Sequence, residues 1–531
     1  MGLTKTNFRM INGSSISPLD FGAVGNGTTD DSSAIQTCIN SASEGSVIDF
    51  GGLTYICDDV SITTNRLTLQ NGKLIAASTA DSVSRFNLTA DDIVITNMTF
   101  YADSLIYTRI GQITADGCNH LRVTNCIFDG ARRSGTTQGG DHHLLYENGT
   151  KALIQNNVFR GGAYTEQLYI LGSTNCVVDG NTFTGNVNTY SGIVTGIYGG
   201  GSNNTIISNN VVEDFKTSAI TVNGDDCVVT GNWVRDSAEE QGINIGHNSI
   251  PANRTLVSDN KISNIIGSGI LVAQSEHCNL SGNWIENSNN PGIEILAASN
   301  NTLVTNNYIK NITFTADTDA DADGIRIRGD SNYATIDGNY LINIDADGIS
   351  IDTGKSYAIT NNTFVNIHNY SGGIAGGRFV VSWTIPDASP EDLVVTNNLH
   401  REDASYTGVG CYRGVSVTTS NTNLRATVMN NDFTPVTSTQ TAFFDPVNPS
   451  FKRVQGNKAS NHQMFGSVTV LGGSTSLVVS NDNVRSNSAY PKLTFRDANG
   501  ISRGVYLSAL TDGSFTLTAI AGSDAVVYYE L

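Results

Sequence analysis

Proline is scarce in this chain, nine among 531 residues, and charged side chains make up only 15% of it. That composition leaves little room for long helices and suits many short strands joined by tight polar turns. Basic residues are outnumbered, 30 Lys and Arg against 49 Asp and Glu, for a formal net charge of −19. So negative a surface repels phosphate backbones, which argues against a nucleic-acid partner. An acidic ligand would need a locally basic groove. No stretch reaches the roughly 18–20 apolar residues of a membrane span, so no membrane insertion is expected. The start, Met1-Gly2-Leu3-Thr4-Lys5-Thr6, lacks the apolar core of a signal peptide.

Glycine, by contrast, is plentiful at 54 residues, and with asparagine it forms a recurring phrase: an Asn-Asn or Gly-Asn pair followed by a short hydrophobic strand. It reads Asn156-Asn157-Val158-Phe159, Gly180-Asn181-Thr182-Phe183, Asn209-Asn210-Val211-Val212, Gly231-Asn232-Trp233-Val234 and so on to Asn361-Asn362-Thr363-Phe364. Counted on the second residue of each pair from Asn157 to Asn362, the steps are 24, 29, 22, 28, 23, 24, 32 and 23 residues. Steps of that size fit one solenoid coil of about three short strands, with loops of varying length inserted. Helical repeats are excluded, because the runs between turns are short, β-branched and alternating. Asn and Gly both tolerate the left-handed backbone of a sharp corner, and stacked Asn side chains can bond from coil to coil, about 4.8 Å apart.

A second phrase, Gly-Ile-x-Ile, recurs at Gly242, Gly292, Gly324 and Gly348. With a side-chain period of two, the isoleucines point inward and stack, and the residue between them points out. Cys176, Cys227 and Cys278 each lie five residues before a corner Asn, and Thr205 and Thr255 hold that place in the coils between. Cysteines two coils apart, roughly 9–10 Å, are too distant for a disulfide and read as small buried fillers.

At the N-terminal side, residues 18–60 contain a short amphipathic segment in which Ala34, Ile35, Cys38, Ile39 and Ala42 share a face, with Thr29 to Asp31 as N-capping groups. Such a cap covers the unpaired backbone at the open end of a solenoid. The stretch Asp20-Phe21-Gly22-Ala23-Val24-Gly25-Asn26-Gly27 with Thr29-Asp30-Asp31 resembles the entry motif of the pectate-lyase-like superfamily, a motif frequent in bacteriophage tailspikes and capsule depolymerases. With the repeat, the resemblance covers roughly residues 18–460. It implies a homotrimer, a place in the virion tail and cleavage of a bacterial surface polysaccharide. Only 17 residues precede the 18–60 region that holds the motif, which leads us to expect attachment to another phage tail or spike protein through a short peptide.

The expected fold is therefore all-β: a right-handed parallel β-helix with an N-terminal capping helix and a small C-terminal antiparallel β domain, assembled as a trimer. The expected divisions are a tip (1–17), the cap (18–60), the β-helix (61–460) and a trimerising β domain (461–531), where alternating segments such as Ser467-Val468-Thr469-Val470-Leu471 replace the corner phrase.

Glycoside hydrolysis usually needs two carboxylates, about 5–5.5 Å apart for retention and roughly 6.5–9.5 Å for inversion. Register places Glu294, Arg326, Arg328 and Asp352 at outward positions of three successive coils, with Asp323 and Asp347 just before the Gly-Ile phrase. Asp323 and Asp347 should lie about one strand spacing apart, near the retaining distance, and Glu294 and Asp347 nearer the inverting one. These three are the acid, base or nucleophile candidates, and Arg326 and Arg328 would orient the sugar or stabilise charge. The competing reading is a salt-bridge ladder pairing Glu294 with Arg326 and Arg328 with Asp352. A second cluster is Asp225, Asp226, His247, Glu276 and His277. A third is Asp141, His142, His143, Glu147 and Glu166, near Tyr164 and Tyr169. The position after the corner Asn holds Trp233, Lys261, Trp284, Tyr308 and Tyr340 in successive coils, as sugar-stacking rings or as a subunit interface.

The function expected is an endo-acting polysaccharide depolymerase, more a glycoside hydrolase than a lyase, with Asp352, His247, Trp233, Trp284, Tyr308 and Tyr340 as further substrate-binding residues. No metal or cofactor is expected. The rivals are a lyase using His247 or a Tyr as base beside an Arg, a non-cleaving receptor spike, and a structural solenoid.

Overall fold

The computed structural model describes residues 15–76, 84–102, 112–130, 142–161, 166–185, 189–196, 201–246, 250–313, 322–368, 379–385, 391–403, 413–419, 424–433, 451–455, 465–470, 476–480, 492–496, 505–511, 514–519 and 525–530. The chain divides into two compact units, Met1–Leu303 and Val304–Leu531. His247, Asp141 and Tyr164 lie outside the described residues.

The first unit is a right-handed parallel β-helix in which each coil contributes three strands. One coil runs Ile220–Val222, Val228–Thr230 and Trp233–Ser237. Each pairs in parallel with the same strand of the next coil, Ile220 opposite Ile243, Val228 opposite Leu256 and Trp233 opposite Lys261. Ile220, Ile243, Ile270 and Ile293 form one fully buried file. Another is aromatic: Phe100, Phe128, Phe159 and Phe183 stack with centroids 5.0, 4.7 and 4.5 Å apart and nearly parallel planes.

The corner pair divides its labour. The first residue adopts the left-handed backbone, with φ of 55° at Asn209, 66° at Gly231, 56° at Asp259 and 67° at Gly282. Glycine at 231 also allows close stacking, because a Cβ there would stand 2.9 Å from Asn209 Oδ1. The second residue is buried asparagine, and its work is the ladder. Asn157, Asn181, Asn210, Asn232, Asn260 and Asn283 stand in single file, each donating its backbone N–H to the next Oδ1 at 2.9–3.1 Å and its Nδ2 to the same oxygen at 3.0 Å. The Nδ2 of Asn260 also donates to Val229 O at 2.9 Å.

The cap is a helix, Ser32–Ser41, that buries Ile35, Cys38 and Ile39. Of the expected N-capping groups, Thr29 to Asp31, the N-cap residue Asp31 itself makes no side-chain capping bond. The Asp31 carboxylate instead accepts from Val24 N at 2.7 Å and Gly25 N at 3.1 Å, tying down the turn of the entry motif. Asp30 serves the helix start by accepting from Ser32 N at 3.0 Å.

Among the described residues seven cysteines, Cys176, Cys227 and Cys278 included, are buried and free. Thr205 and Thr255 are equally buried in the coils between, so the filler reading holds.

The second unit also contains parallel coils. Its Asn307 and Asn339 continue into Asn362, Asn398 and Asn431 by the same doubled bond, 2.9–3.0 Å. Parallel pairing extends to Phe451–Gln455. From Phe465 onward the pairing is antiparallel, in two three-stranded sheets.

Candidate functional site

Three short strands of the second unit position the candidate carboxylates: Ile325–Ile327, Ile349–Ile351 and Phe379–Ile385. They pair in parallel with Ile325 opposite Ile349 and Ile349 opposite Val381. The isoleucines are buried, and the alternate positions Arg326, Ser350 and Ser382 form a file on the other face.

Asp323 and Asp347 each precede their strand by a glycine. A Cβ on Gly324 would meet Leu341 Cδ2 at 2.3 Å and Gly348 O at 2.6 Å, and one on Gly348 would meet Val380 O at 2.6 Å. The bend before each strand is thus packed tightly against the interior, and only glycine fits it. That fixes the aspartates one strand spacing apart, about 4.8 Å, in one file.

Asp347 donates its backbone N–H to Asp323 Oδ1 at 2.9 Å. Ser382 Oγ donates to Asp347 Oδ2 at 2.6 Å and stands 3.3 Å from Ser350 Oγ. The Arg326 guanidinium clasps Asp352 Oδ2 through Nη2 at 2.8 Å and Nε at 3.1 Å, with Asp323 Oδ2 4.0 Å from Nε.

Two expectations are corrected here. Asp323 and Asp347 are enclosed rather than open, with 2% and 5% relative exposure. Asp352 pairs with Arg326, not with Arg328. Ser350 and Ser382 had not been singled out. Ser350 was legible as the middle of a Gly-Ile-x-Ile phrase, whereas Ser382 lies in Val380-Val381-Ser382-Trp383, which lacks the glycine that marks the register.

Glu294 lies in the first unit, on Ile293–Leu296, also enclosed at 6% exposure, and accepts from Ser268 Oγ at 2.8 Å.

The second cluster is a polar corner ladder. Arg254 holds Asp225 at 3.0 Å and Asp226 at 2.7 Å, Asn253 Nδ2 donates to Asp225 at 3.0 Å, and Asn300 Nδ2 donates to Glu276 at 2.8 Å. Every acid of this set that is described braces a neighbouring coil.

In the third cluster the two histidines part company. His143 turns inward between Phe128 and Phe159, its centroid 6.2 Å from each ring. Burial pushes its pKa down to about 4. His142 lies on the other face, its Nδ1 3.4 Å from Glu166 Oε2 and its ring 4.9 Å from that of Tyr169. Burial lowers its pKa also.

The aromatic column lies on a different set of strands from the carboxylates. In the first unit Trp233 and Trp284 are 41% and 43% exposed and flank Lys261 in register. Arg235 and Lys261 lie over the Trp233 ring at 4.8 and 5.3 Å, and Trp284 Nε1 donates to Glu286 at 3.0 Å. In the second unit Tyr308 and Tyr340 stack at 5.6 Å with planes 2° apart. Trp233, Tyr308 and Tyr340 thus each stand against a side chain of a neighbouring coil, whereas Trp284 bonds within its own strand.

The family model for the right handed beta helix region matches residues 111–256 and 241–433. The chain belongs to this family. A search of curated proteins finds no match. Among solved structures, a mutant tailspike protein of E. coli bacteriophage HK620 in complex with pentasaccharide is similar over 99% of this chain and 96% of its own, at 12% identity and a TM-score of 0.50. PfbA, a surface adhesin of Streptococcus pneumoniae, matches 67% of this chain and 91% of its own at 16% identity, TM-score 0.49. A GH87 α-1,3-glucanase from Streptomyces thermodiastaticus matches 77% of this chain and 69% of its own at 16% identity, TM-score 0.44. At such identity these likenesses speak to the fold alone.

Proposed function

We propose that this β-helix protein is a phage tailspike that binds a bacterial surface polysaccharide and cleaves it by glycoside hydrolysis. The observation that carries the chemistry is the pair Asp323 and Asp347, held one coil apart in one file with serine and arginine partners. At about that separation one carboxyl protonates the leaving glycosidic oxygen while the other attacks the anomeric carbon, so retention is the expected outcome. Trimer assembly and a place in the virion tail belong to the same proposal and draw on the entry motif at Asp20–Asp31.

The test is digestion of a panel of purified capsules and O-polysaccharides, with products read by mass spectrometry. Oligosaccharides of regular repeat length support the reading. Products that absorb as a new C=C bond would assign β-elimination instead. One observation favours a non-cleaving receptor spike: both carboxylates are enclosed. That reading predicts tight glycan binding with no product released.

A further inference from the structure

We infer that the interior of the first unit binds a file of water molecules along Arg85, Gln112, His143 and Gln167, bridging one coil to the next. The inference stands apart from the glycan-cleaving reading.

The four residues hold one position in four successive coils. Each stands just before a buried strand residue, and these residues, Phe86, Ile113, Leu144 and Leu168, pair in parallel register. All four are enclosed, at no more than 1% exposure. Their position faces the interior. His143 lies between the Phe128 and Phe159 rings. In the next coil the place belongs to Gly192, where a Cβ would meet Val212 Cγ1 at 2.7 Å.

Seven side-chain atoms of this file have no hydrogen-bond partner among the described residues. They are Nε, Nη1 and Nη2 of Arg85, Nε2 and Oε1 of Gln112, Nδ1 of His143 and Oε1 of Gln167. Asp58 Oδ1 is 3.6 Å from Arg85 Nε, close enough to offset charge but too far for a hydrogen bond. Polar groups buried without partners are costly, a guanidinium most of all.

The orphaned atoms sort by sign along the helix axis. His143 Nε2 stands 2.7 Å from Gly130 O. A carbonyl only accepts, so Nε2 carries the ring proton and Nδ1 offers a lone pair. Gln167 spends its Nε2 on Gly161 O at 2.7 Å and Thr184 O at 2.9 Å, which leaves an oxygen. Donors therefore gather at Arg85 and Gln112 Nε2, and acceptors at Gln112 Oε1, His143 Nδ1 and Gln167 Oε1. An anion would serve the donors and repel the acceptors. Water does both, taking N–H bonds at the Arg85 end and giving O–H bonds at the Gln167 end. The spacing agrees, since coils about 4.8 Å apart are spanned by two bonds of about 2.8 Å each through one water.

The experiment is a high-resolution crystal structure of the full chain, repeated after a sodium bromide soak with anomalous data. Water density should lie within hydrogen-bond distance of Arg85, Gln112 Oε1, His143 Nδ1 and Gln167 Oε1, with no bromine peak. In solution, oxygen-17 relaxation dispersion should register long-lived internal waters, and Gln112→Met, which removes two of the orphaned atoms at nearly constant size, should lose at least one. A dry file in the crystal overturns the inference. So does an unchanged dispersion amplitude in a folded Gln112→Met. A bromine peak at Arg85 overturns it in favour of an anion site. Should Gln112→Met not fold, the wild-type crystal decides alone.

Discussion

Asn232 Nδ2 and Asn260 Oδ1 are 3.0 Å apart, and the backbone N–H of Asn232 reaches the same oxygen, also at 3.0 Å. One side-chain oxygen thus satisfies two buried donors of the preceding coil, while its own amide repeats the act on Asn283. Removing one rung therefore strands groups on both sides. Asn260→Ala would leave two donors of Asn232 unsatisfied and remove the side-chain bond to the Val229 carbonyl, at a cost of about 2–4 kcal/mol. The first corner residue should be far more tolerant, and Asp259→Gly, which suits the left-handed backbone, should cost less than about 1 kcal/mol. Chemical denaturation of the two variants checks the contrast.

Two interior histidines make stability pH-dependent. His143 and His400 are buried, and burial is the leading cause that drives each pKa to about 4. In the unfolded chain each titrates near 6.5, so between the two values the unfolded state binds the extra protons. Their contribution is complete above about pH 6.5 and is lost as the pH falls toward 4, by up to ~3 kcal/mol each. Melting curves between pH 7 and 4 should drop steeply in the wild type. Replacement of both residues by leucine should flatten that drop, and an unflattened profile would refute the assignment.

The cysteines should be chemically silent. Burial raises the thiols of Cys38, Cys118, Cys126, Cys176 and Cys278 to about 12 and that of Cys227 to about 11. Thiolate is the reactive form, so alkylation at pH 8 should spare all six in the native protein and label them all in denaturant. Peptide mapping of iodoacetamide adducts reads the result directly. Native-state labelling of Cys227 would show that its coil opens.

How much of this was legible in the sequence follows from what each pattern encodes. The corner phrase specified backbone shape and ladder chemistry together, so Asn232, Asn260 and Asn283 could be placed in file from spacing alone. Gly324 and Gly348 likewise marked where Asp323 and Asp347 return to the outer face. Partner choice was not legible. Arg326 and Arg328 share a face by period, and only rotamer and reach decide that Asp352 goes to Arg326. Nor was Ser382, which enters the file after a 32-residue step from Ser350 that no phrase announces. Asp31 failed as a cap because the nearby turn at Val24 and Gly25 offered its carboxylate two better donors.

The last prediction separates chemistry from architecture at the carboxylates themselves. Asp323→Asn and Asp347→Asn keep shape and most hydrogen bonds while removing the charge and the transferable proton. If these groups act as acid and nucleophile, each change should cut glycan cleavage by a factor of about 100 or more, with polymer binding retained. Ser382→Ala removes a 2.6 Å bond to Asp347 Oδ2 without touching either carboxyl, so its loss should be smaller, about tenfold, and should shift the pH profile. Gly348→Ala is the structural control: its Cβ would meet Val380 O at 2.6 Å and the Phe364 ring at 2.8 Å. It should lower the melting temperature together with activity, whereas the two Asn variants should melt like the wild type. Asn variants that still degrade glycan at the wild-type rate would move the chemistry elsewhere on the solenoid. Asn variants that unfold would make Asp323 and Asp347 braces of the coil, as Asp225 and Asp226 are of theirs.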